Sequence, residues 1–349
     1  MILHIQNNDI ELLRVSLHRI SFLKLEEKKN LLKKLDSSYS LALLSIEEIE
    51  KNINRKLKDS VYWNGKENLH RAEIALHYCK TFGIKILYCE DINYPELLKQ
   101  ISDPPFLLFC RGNERILCDK TVSVVGTRRL TQNGKLAAKK FAYDAVMHGV
   151  NVVSGLANGA DGFAHQGAVD AWYDAVETGK DVSLLGRTIA VLPCAIDEIV
   201  PASHRRMACQ ILESGGCIVS EYEPKAEMAT WHYVGRNRII AGLSPATVVV
   251  EAPAGSGALI TAEFALEYDR DVMFHEVTFS GKASEIAEIV HKQLENAHAA
   301  GKVSKYKIEN RPEKFLEAGA PVIKDYKEYC TALDSVPGCY TQIIQGTLF

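Results

Sequence analysis

Two hydrophobic rhythms divide the chain. Between residues 9 and 90 apolar side chains recur at helical spacing. Leu12, Leu13, Leu17 and Ile20 share one face, Leu31, Leu32 and Leu35 make a second stripe, and Leu41, Leu44 and Ile49 a third. Lys and Glu fill many of the positions between them, as a solvated helix face requires. After a connecting segment, 93–105, the rhythm changes. Short β-branched runs without polar alternation stand at 121–125, 150–154, 188–192, 217–220, 246–251 and 271–274. A strand that is apolar on both sides is buried on both, as in a parallel sheet between helical layers. Helix-period segments separate these runs at 134–148, 159–172, 202–214 and 259–268, and 280–300 reads as one more helix. The pattern predicts an α/β fold, a doubly wound, mostly parallel sheet preceded by a small helical domain. Ligands of such sheets bind beyond the carboxyl ends of the strands. The expected boundaries are 1–90 for the helices, 91–330 for the sheet domain and 331–349 for a flexible tail.

Composition narrows the function classes. The chain has 349 residues and a formal charge of −3, so it exerts no global pull on polyanions. Contact with nucleic acid would need a local basic face. Nine cysteines are scattered without a C-x-x-C pair, which argues for reduced thiols rather than a zinc knuckle or redox pair. No leader pattern and no membrane-length apolar run is visible, so a cytoplasmic protein without membrane contact is expected.

Candidate chemistry collects at the strand ends. The first β-branched run closes on Gly126, Thr127, Arg128 and Arg129; the glycine would admit a ligand to the backbone and the arginines could fork onto phosphate. The helix expected from about Gly134 would add N–H donors, with Lys135, Lys139 and Lys140 behind them. The second ends on Ser154 and Gly155, followed by Asn158, Gly159 and Asp161, a turn suited to an anion. His165 beyond it reads equally as a ligand contact or a core imidazole. Further on come Trp231-His232-Tyr233, then Arg236-Asn237-Arg238, then a Gly255-Ser256-Gly257 turn. Guanidiniums beside rings suit something anionic and flat, and a polynucleotide strand fits better than a small metabolite. Trp231 or Tyr233 could stack a base, and one of Arg236 and Arg238 could instead pair with Glu221 or Glu251. A G-x-G-x-x-G fingerprint after the first strand, a Walker lysine motif and a metal-ligand cluster are all missing from the pattern. No cofactor, no metal and no catalytic residue is therefore expected.

With these motifs assembled, the chain resembles the DNA-processing protein A family (DprA, also called Smf) over roughly residues 94–274. The carrying motifs are Tyr94-Pro95, Val125-Gly126-Thr127-Arg128-Arg129, Ser154-Gly155-Leu156-Ala157-Asn158-Gly159-Ala160-Asp161, Ser220-Glu221, Arg236-Asn237-Arg238-Ile239-Ile240-Ala241-Gly242 and Ser256-Gly257-Ala258-Leu259-Ile260-Thr261. The resemblance implies an extended Rossmann-like domain that binds single-stranded DNA, protects incoming strands in natural transformation, forms a homodimer and loads the RecA recombinase. It maps a phosphate pocket onto Arg128 and the Arg236/Arg238 neighbourhood, shaped by Gly126, Ser154, Gly155 and Gly257. It also makes the first domain similar to a sterile-alpha-motif domain. Residues 277–312 read as a divergent replacement. The final Gln345-Gly346-Thr347-Leu348-Phe349 resembles the peptide by which bacterial proteins bind the DNA polymerase sliding clamp. An enzymatic alternative is a nucleotide phosphoribohydrolase of the lysine-decarboxylase-like group, echoed by Pro253-Ala254-Gly255-Ser256-Gly257. There Glu263 lies six residues past Gly257, where that motif needs four.

Overall fold

A computed structural model describes residues 2–334, with side chains from residue 8 onward. The first rhythm folds into helices Ile2–His18, Leu25–Lys34, Ser38–Leu43, Ile46–Ile53 and Gly65–Thr81. Their stripes turn inward: Leu13, Leu17, Ile20, Leu31, Leu41 and Ile49 are buried. Local chemistry sets the short helices. Ser45 accepts from the Glu48 backbone N–H while the Glu48 carboxylate accepts from the Ser45 N–H, a capping box that starts Ile46–Ile53.

The second rhythm builds one nine-stranded sheet. Its strands are β1 (Lys85–Tyr88), β2 (Leu107–Gly112), β3 (Thr121–Gly126), β4 (Asn151–Ser154), β5 (Thr188–Leu192), β6 (Cys217–Ser220), β7 (Ala246–Val250), β8 (Asp271–His275) and β9 (Val322–Ile323). They lie in the order β1-β2-β6-β5-β4-β3-β7-β8-β9. From β6 to β9 every pairing is parallel, whereas β2 joins β6, and β1 joins β2, antiparallel. The chain winds outward from β3 to β6 and then returns to lay β7 against the other side of β3. The order therefore reverses between β3 and β7, and the crevice at their carboxyl ends is where a doubly wound sheet receives ligands.

Six strands match the expected runs; β1, β2 and β9 were not anticipated. β1 corrects the domain boundary, because residues 85–88 lie inside the 1–90 segment yet form the sheet edge. Helix Tyr326–Asp334 likewise enters the segment expected as tail, and 335–349 lie outside the described residues. Against β3, β4 and β7, helices Gln132–Met147 and Ala160–Glu177 pack through Ala138, Ala142, Ala145, Ala164, Ala168 and Ala171, small residues that let the two helices come close.

The N-terminal helices do not stand apart from the sheet. Their buried leucines belong to the same continuous core as Phe109 of β2 and Val219 of β6. The contact is also ionic. His18 Nε2 bonds the Glu221 carbonyl at 2.8 Å, Lys28 Nζ donates to the His18 carbonyl at 2.8 Å, and Arg19 pairs with Glu223. The edge of the His18 ring meets Phe109 at 5.6 Å. Burial, then the nearby Lys28 charge, pushes the His18 imidazole down to about 4. His165 in the sheet domain is likewise held down, to about 3, by burial and by the charges of His204 and Arg236.

Both shifts have the same sign. The unfolded chain binds a proton to each imidazole at about pH 6.5 while the folded chain refuses it, so stability is full above that pH and declines as pH falls toward 4. Chemical denaturation between pH 7.5 and 4.5 should show this slope, and His18→Gln should flatten it. An unchanged slope would mean that His18 is not held neutral at the interface.

Candidate functional site

Helix His232–Gly242 brings the Arg-Asn-Arg run to the carboxyl edge of the sheet and then crosses toward the start of β3, where Ser123 and Thr121 donate to the Ile240 and Leu243 carbonyls. The packing corrects the expectation of a free guanidinium at that edge. Arg236 is buried, and its Nη1 donates to the carbonyls of Gly155 and Val191, tying the ends of β4 and β5 together. A Cβ at Gly155 would lie 2.2 Å from that Nη1, so this glycine makes room for Arg236 rather than for a ligand. Asp161 is buried beside it and accepts from the Ala157 N–H at 3.2 Å. Burial pushes the Asp161 carboxyl up and the Arg236 guanidinium down, and their mutual attraction opposes both shifts.

Arg238 is equally committed. It forks onto Glu221 at 2.9 and 2.7 Å and reaches Asp103 through its carbonyl at 3.0 Å and its carboxylate at 3.2 Å. Burial, the largest single influence, lowers its proton affinity, but the charge and hydrogen bonds of Glu221 and the charge of Asp103 together outweigh it and raise the guanidinium above its ordinary value. The anticipated pairing with Glu221 is present; the division into one structural and one free arginine is not. Asn237 is buried and donates to the Gly257 carbonyl at 3.2 Å, and Ser154 donates to the Val124 carbonyl at 2.6 Å.

The helix N-termini expected to receive phosphate are filled by the protein's own carboxylates. Glu251 accepts from the Thr131 N–H at 2.8 Å and from the Thr131 hydroxyl, at the cap of Gln132–Met147. A Cβ on Gly134 would lie 2.4 Å from that carboxylate. Asp161 occupies the first turn of Ala160–Glu177. Both placements satisfy the positive end of a helix internally. The Gly255-Ser256-Gly257 turn is partly spent too. Its Gly255 N–H donates to the Asn310 carbonyl at 2.9 Å, and Ser256 caps helix Gly257–Glu267. Gly126 meets protein rather than ligand, since a Cβ there would lie 1.9 Å from the Val250 carbonyl. Of the lysines behind the first turn, Lys139 pairs with Asp170 and Lys140 with Asp144. His165 is a core imidazole, bonded to Thr188 Oγ1 at 2.7 Å.

What remains open lies on an outer tier. Arg128 and Arg129 are exposed, and neither makes an ion pair among the described residues. The Arg128 guanidinium sits 5.3 Å above the half-buried Tyr233 ring. Trp231 is 65% exposed at the start of its helix, braced edge-on by His232, which stacks on Tyr222 at 3.8 Å. The Arg128–Arg129 loop forms a ridge between two depressions. On the β4–β5 side an open groove of about 520 Å³ runs past Gly159, Gln166, His204 and Arg206. On the β7 side a narrower crevice of about 310 Å³ includes Thr127, Arg129 and Glu251. His204 and Arg206 were not among the anticipated contacts, although Ser203-His204-Arg205-Arg206 after β5 signals a basic helix start.

Among the described residues no metal-binding cluster is present, and no helix is long and apolar enough to cross a membrane. Glu263, the carboxylate of the enzymatic alternative, is bound to Tyr306 and lies 3.7 Å from Lys314 Nζ. Gln345, Leu348 and Phe349 lie outside the described residues.

A family model, DNA recombination-mediator protein A, matches residues 85–307, so the match begins with β1 and continues past residue 277. Protein Smf of Borreliella burgdorferi is 31% identical over 266 residues, 75% of this chain and 78% of that protein. DNA processing protein DprA of Bacillus subtilis is 35% identical over 191 residues, 54% of this chain and 60% of that protein. The chain thus spans less than two thirds of the Bacillus protein, and 44% of the similar protein Smf of Synechocystis. In three dimensions the X-ray structure of DNA processing protein A from Streptococcus pneumoniae aligns with a TM-score of 0.61 and 25% identity, over 90% of this chain and 95% of that one.

The burial of the two arginines has a measurable consequence. Arg236→Ala strands Asp161, and Arg238→Ala strands Glu221, each a carboxylate taken from water with its partner gone. Each should cost about 3–5 kcal/mol of stability. Urea unfolding checks this, and a loss below about 1 kcal/mol in both would mean that neither the Arg236–Asp161 attraction nor the Arg238–Glu221 ion pair holds the strand ends.

Proposed function

The chain belongs to the DNA recombination-mediator protein A family, and we propose that it binds single-stranded DNA across the Arg128–Arg129 ridge, chiefly through the phosphates. The observation that carries this reading is the pairing of two exposed arginines, free of ion pairs among the described residues, with an exposed Trp231 at the carboxyl edge of the sheet. Arginine forks neutralise phosphates, and an exposed indole offers a stacking face for any base. The 520 Å³ groove past Arg206 extends the same edge and suits the neighbouring phosphates. Arg236, Asn237, Arg238, Ser154, Gly155 and Gly126 act here as the frame that holds the outer tier.

The role is binding rather than catalysis. In the cytoplasm the protein protects incoming strands during natural transformation, acts as a homodimer and passes the strand to the RecA recombinase. The names of similar proteins, DNA processing protein among them, support the DNA-directed part of this reading. A terminal Gln345, Leu348 and Phe349 peptide for the sliding clamp belongs to the same proposal.

Titration of labelled single- and double-stranded oligonucleotides at two salt concentrations tests it. Single strands should bind tighter. Arg128→Ala should weaken every sequence alike and flatten the salt slope by about 0.7, and Trp231→Ala should cost about 1–3 kcal/mol. Unchanged affinity in both variants would sink the ridge as the site.

A further inference from the structure

The crevice beside the ridge has a chemistry of its own. It lies at the reversal between β3 and β7, and its volume of about 310 Å³ falls in the range of small-ligand sites, about 300–1,000 Å³. Its walls are apolar: Pro253 follows β7, Phe279 closes the helical turn Glu276–Phe279 after β8, Ile286 and Val290 come from helix Gly281–Ala299, and Pro312 from beyond it. Two carboxylates, Glu251 and Glu313, dominate its polar lining, beside the hydroxyls of Thr127, Thr278 and Ser284, which can also accept. Thr278 Oγ1 accepts from the Glu251 N–H at 3.0 Å and donates to the Val249 carbonyl at 3.5 Å, so it has no proton left to give. Each Glu251 carboxylate oxygen takes one hydrogen bond from Thr131 and keeps a further acceptor position. Glu313 adds a second, exposed carboxylate at the rim. The cation of the site is Arg129, whose side chain is exposed.

An apolar crevice that offers carboxylate acceptors, with a guanidinium beside it, describes the complement of a nucleotide whose base edge carries donors. We infer that this crevice holds one unstacked base of the bound strand and favours guanine, with Arg129 on the adjoining phosphate. This rests on the single-strand reading above. Guanine presents N1–H and N2–H side by side, the geometry a carboxylate accepts. Thymine presents one N–H between two carbonyl oxygens, which a carboxylate repels. Adenine and cytosine, with one amino group each, fall between them. Apolar walls suit a base taken out of its stack.

The test uses the full chain and oligo-dT strands carrying a single dG, dA, dC or inosine, alongside free dGMP and dTMP. One dG should tighten binding about tenfold over plain oligo-dT, the size of a good bidentate discrimination. Inosine, which lacks the amino group, should recover only part of that gain, and dGMP should bind more tightly than dTMP. Ile286→Trp, which fills the slot, and Glu313→Gln should each reduce the preference while plain oligo-dT affinity, set by Arg128 and Trp231, stays. Equal binding of all four bases overturns the slot and leaves the ridge standing, as does a preference that survives both variants. Loss of all oligonucleotide binding with dGMP still preferred over dTMP overturns the ridge and keeps the slot as a nucleotide site. Failure of both ligands overturns both.

Discussion

The structure depends on cations buried at the carboxyl edge of a parallel sheet. Parallel strands end with carbonyls that no further strand satisfies, and here the guanidinium of Arg236 answers two of them, Gly155 and Val191, from a helix that begins at this edge. An unpaired charge in that position would be prohibitive. Asp161, held at the start of the next helix by the Ala157 N–H, supplies the counter-charge. Arg238, two residues on, ties the same helix to Glu221 after β6 and to Asp103 before β2. Helix His232–Gly242 is therefore fixed at several points of the sheet edge, and Trp231 at its start inherits that rigidity. The N-terminal helices attach through the same corner, since the Glu221 carbonyl meets His18 and neighbouring Glu223 meets Arg19.

This frame separates two populations of polar residues that look alike in sequence. Buried ones are answered by carbonyls and carboxylates; exposed ones, Arg128, Arg129 and Trp231, project from loops anchored by the first group. Gly159 shows the dependence. A Cβ there would lie 2.2 Å from the Thr127 carbonyl and 2.7 Å from the Arg128 Cα, so the Arg128 loop rests directly on the turn after β4. That turn is the one Arg236 holds.

Much of the fold was legible because its signals are local. β3, β5, β6, β7 and β8 are runs buried on both faces, and their β-branched residues mark them without any long-range information. Helix His232–Gly242 was not legible as a helix because Arg236 to Gly242 are all buried, leaving no polar face to mark a period of 3.6. β9 has only two residues, and β1 is an edge strand whose first half, Lys85 and Ile86, is not buried, so neither makes the fully apolar run that marks β4 and β6. At the site, the motifs were visible but their roles were not. A buried arginine and a phosphate-binding arginine have the same one-dimensional signature, and only the position of a distant partner, such as Glu221 seventeen residues before Arg238, distinguishes them.

The filled helix N-termini bear on what kind of ligand this edge can take. A dinucleotide fold of this winding receives pyrophosphate on the helix that follows its first strand, where the N–H donors and the helix dipole do most of the work. Here the Glu251 carboxylate already stands at that cap, and Asp161 stands at the next. A small phosphate ligand would have to displace an internal anion at either place. The phosphates of a polymer do not need such a cradle. They can be met from outside by Arg128 and Arg129, whose side chains extend into solvent, and many weak contacts along a chain then add. The carboxylate that closes the helix end to phosphate belongs to a residue that also lines the β3–β7 crevice, so the residue that refuses a phosphate at the cap is the one the proposed base site would use.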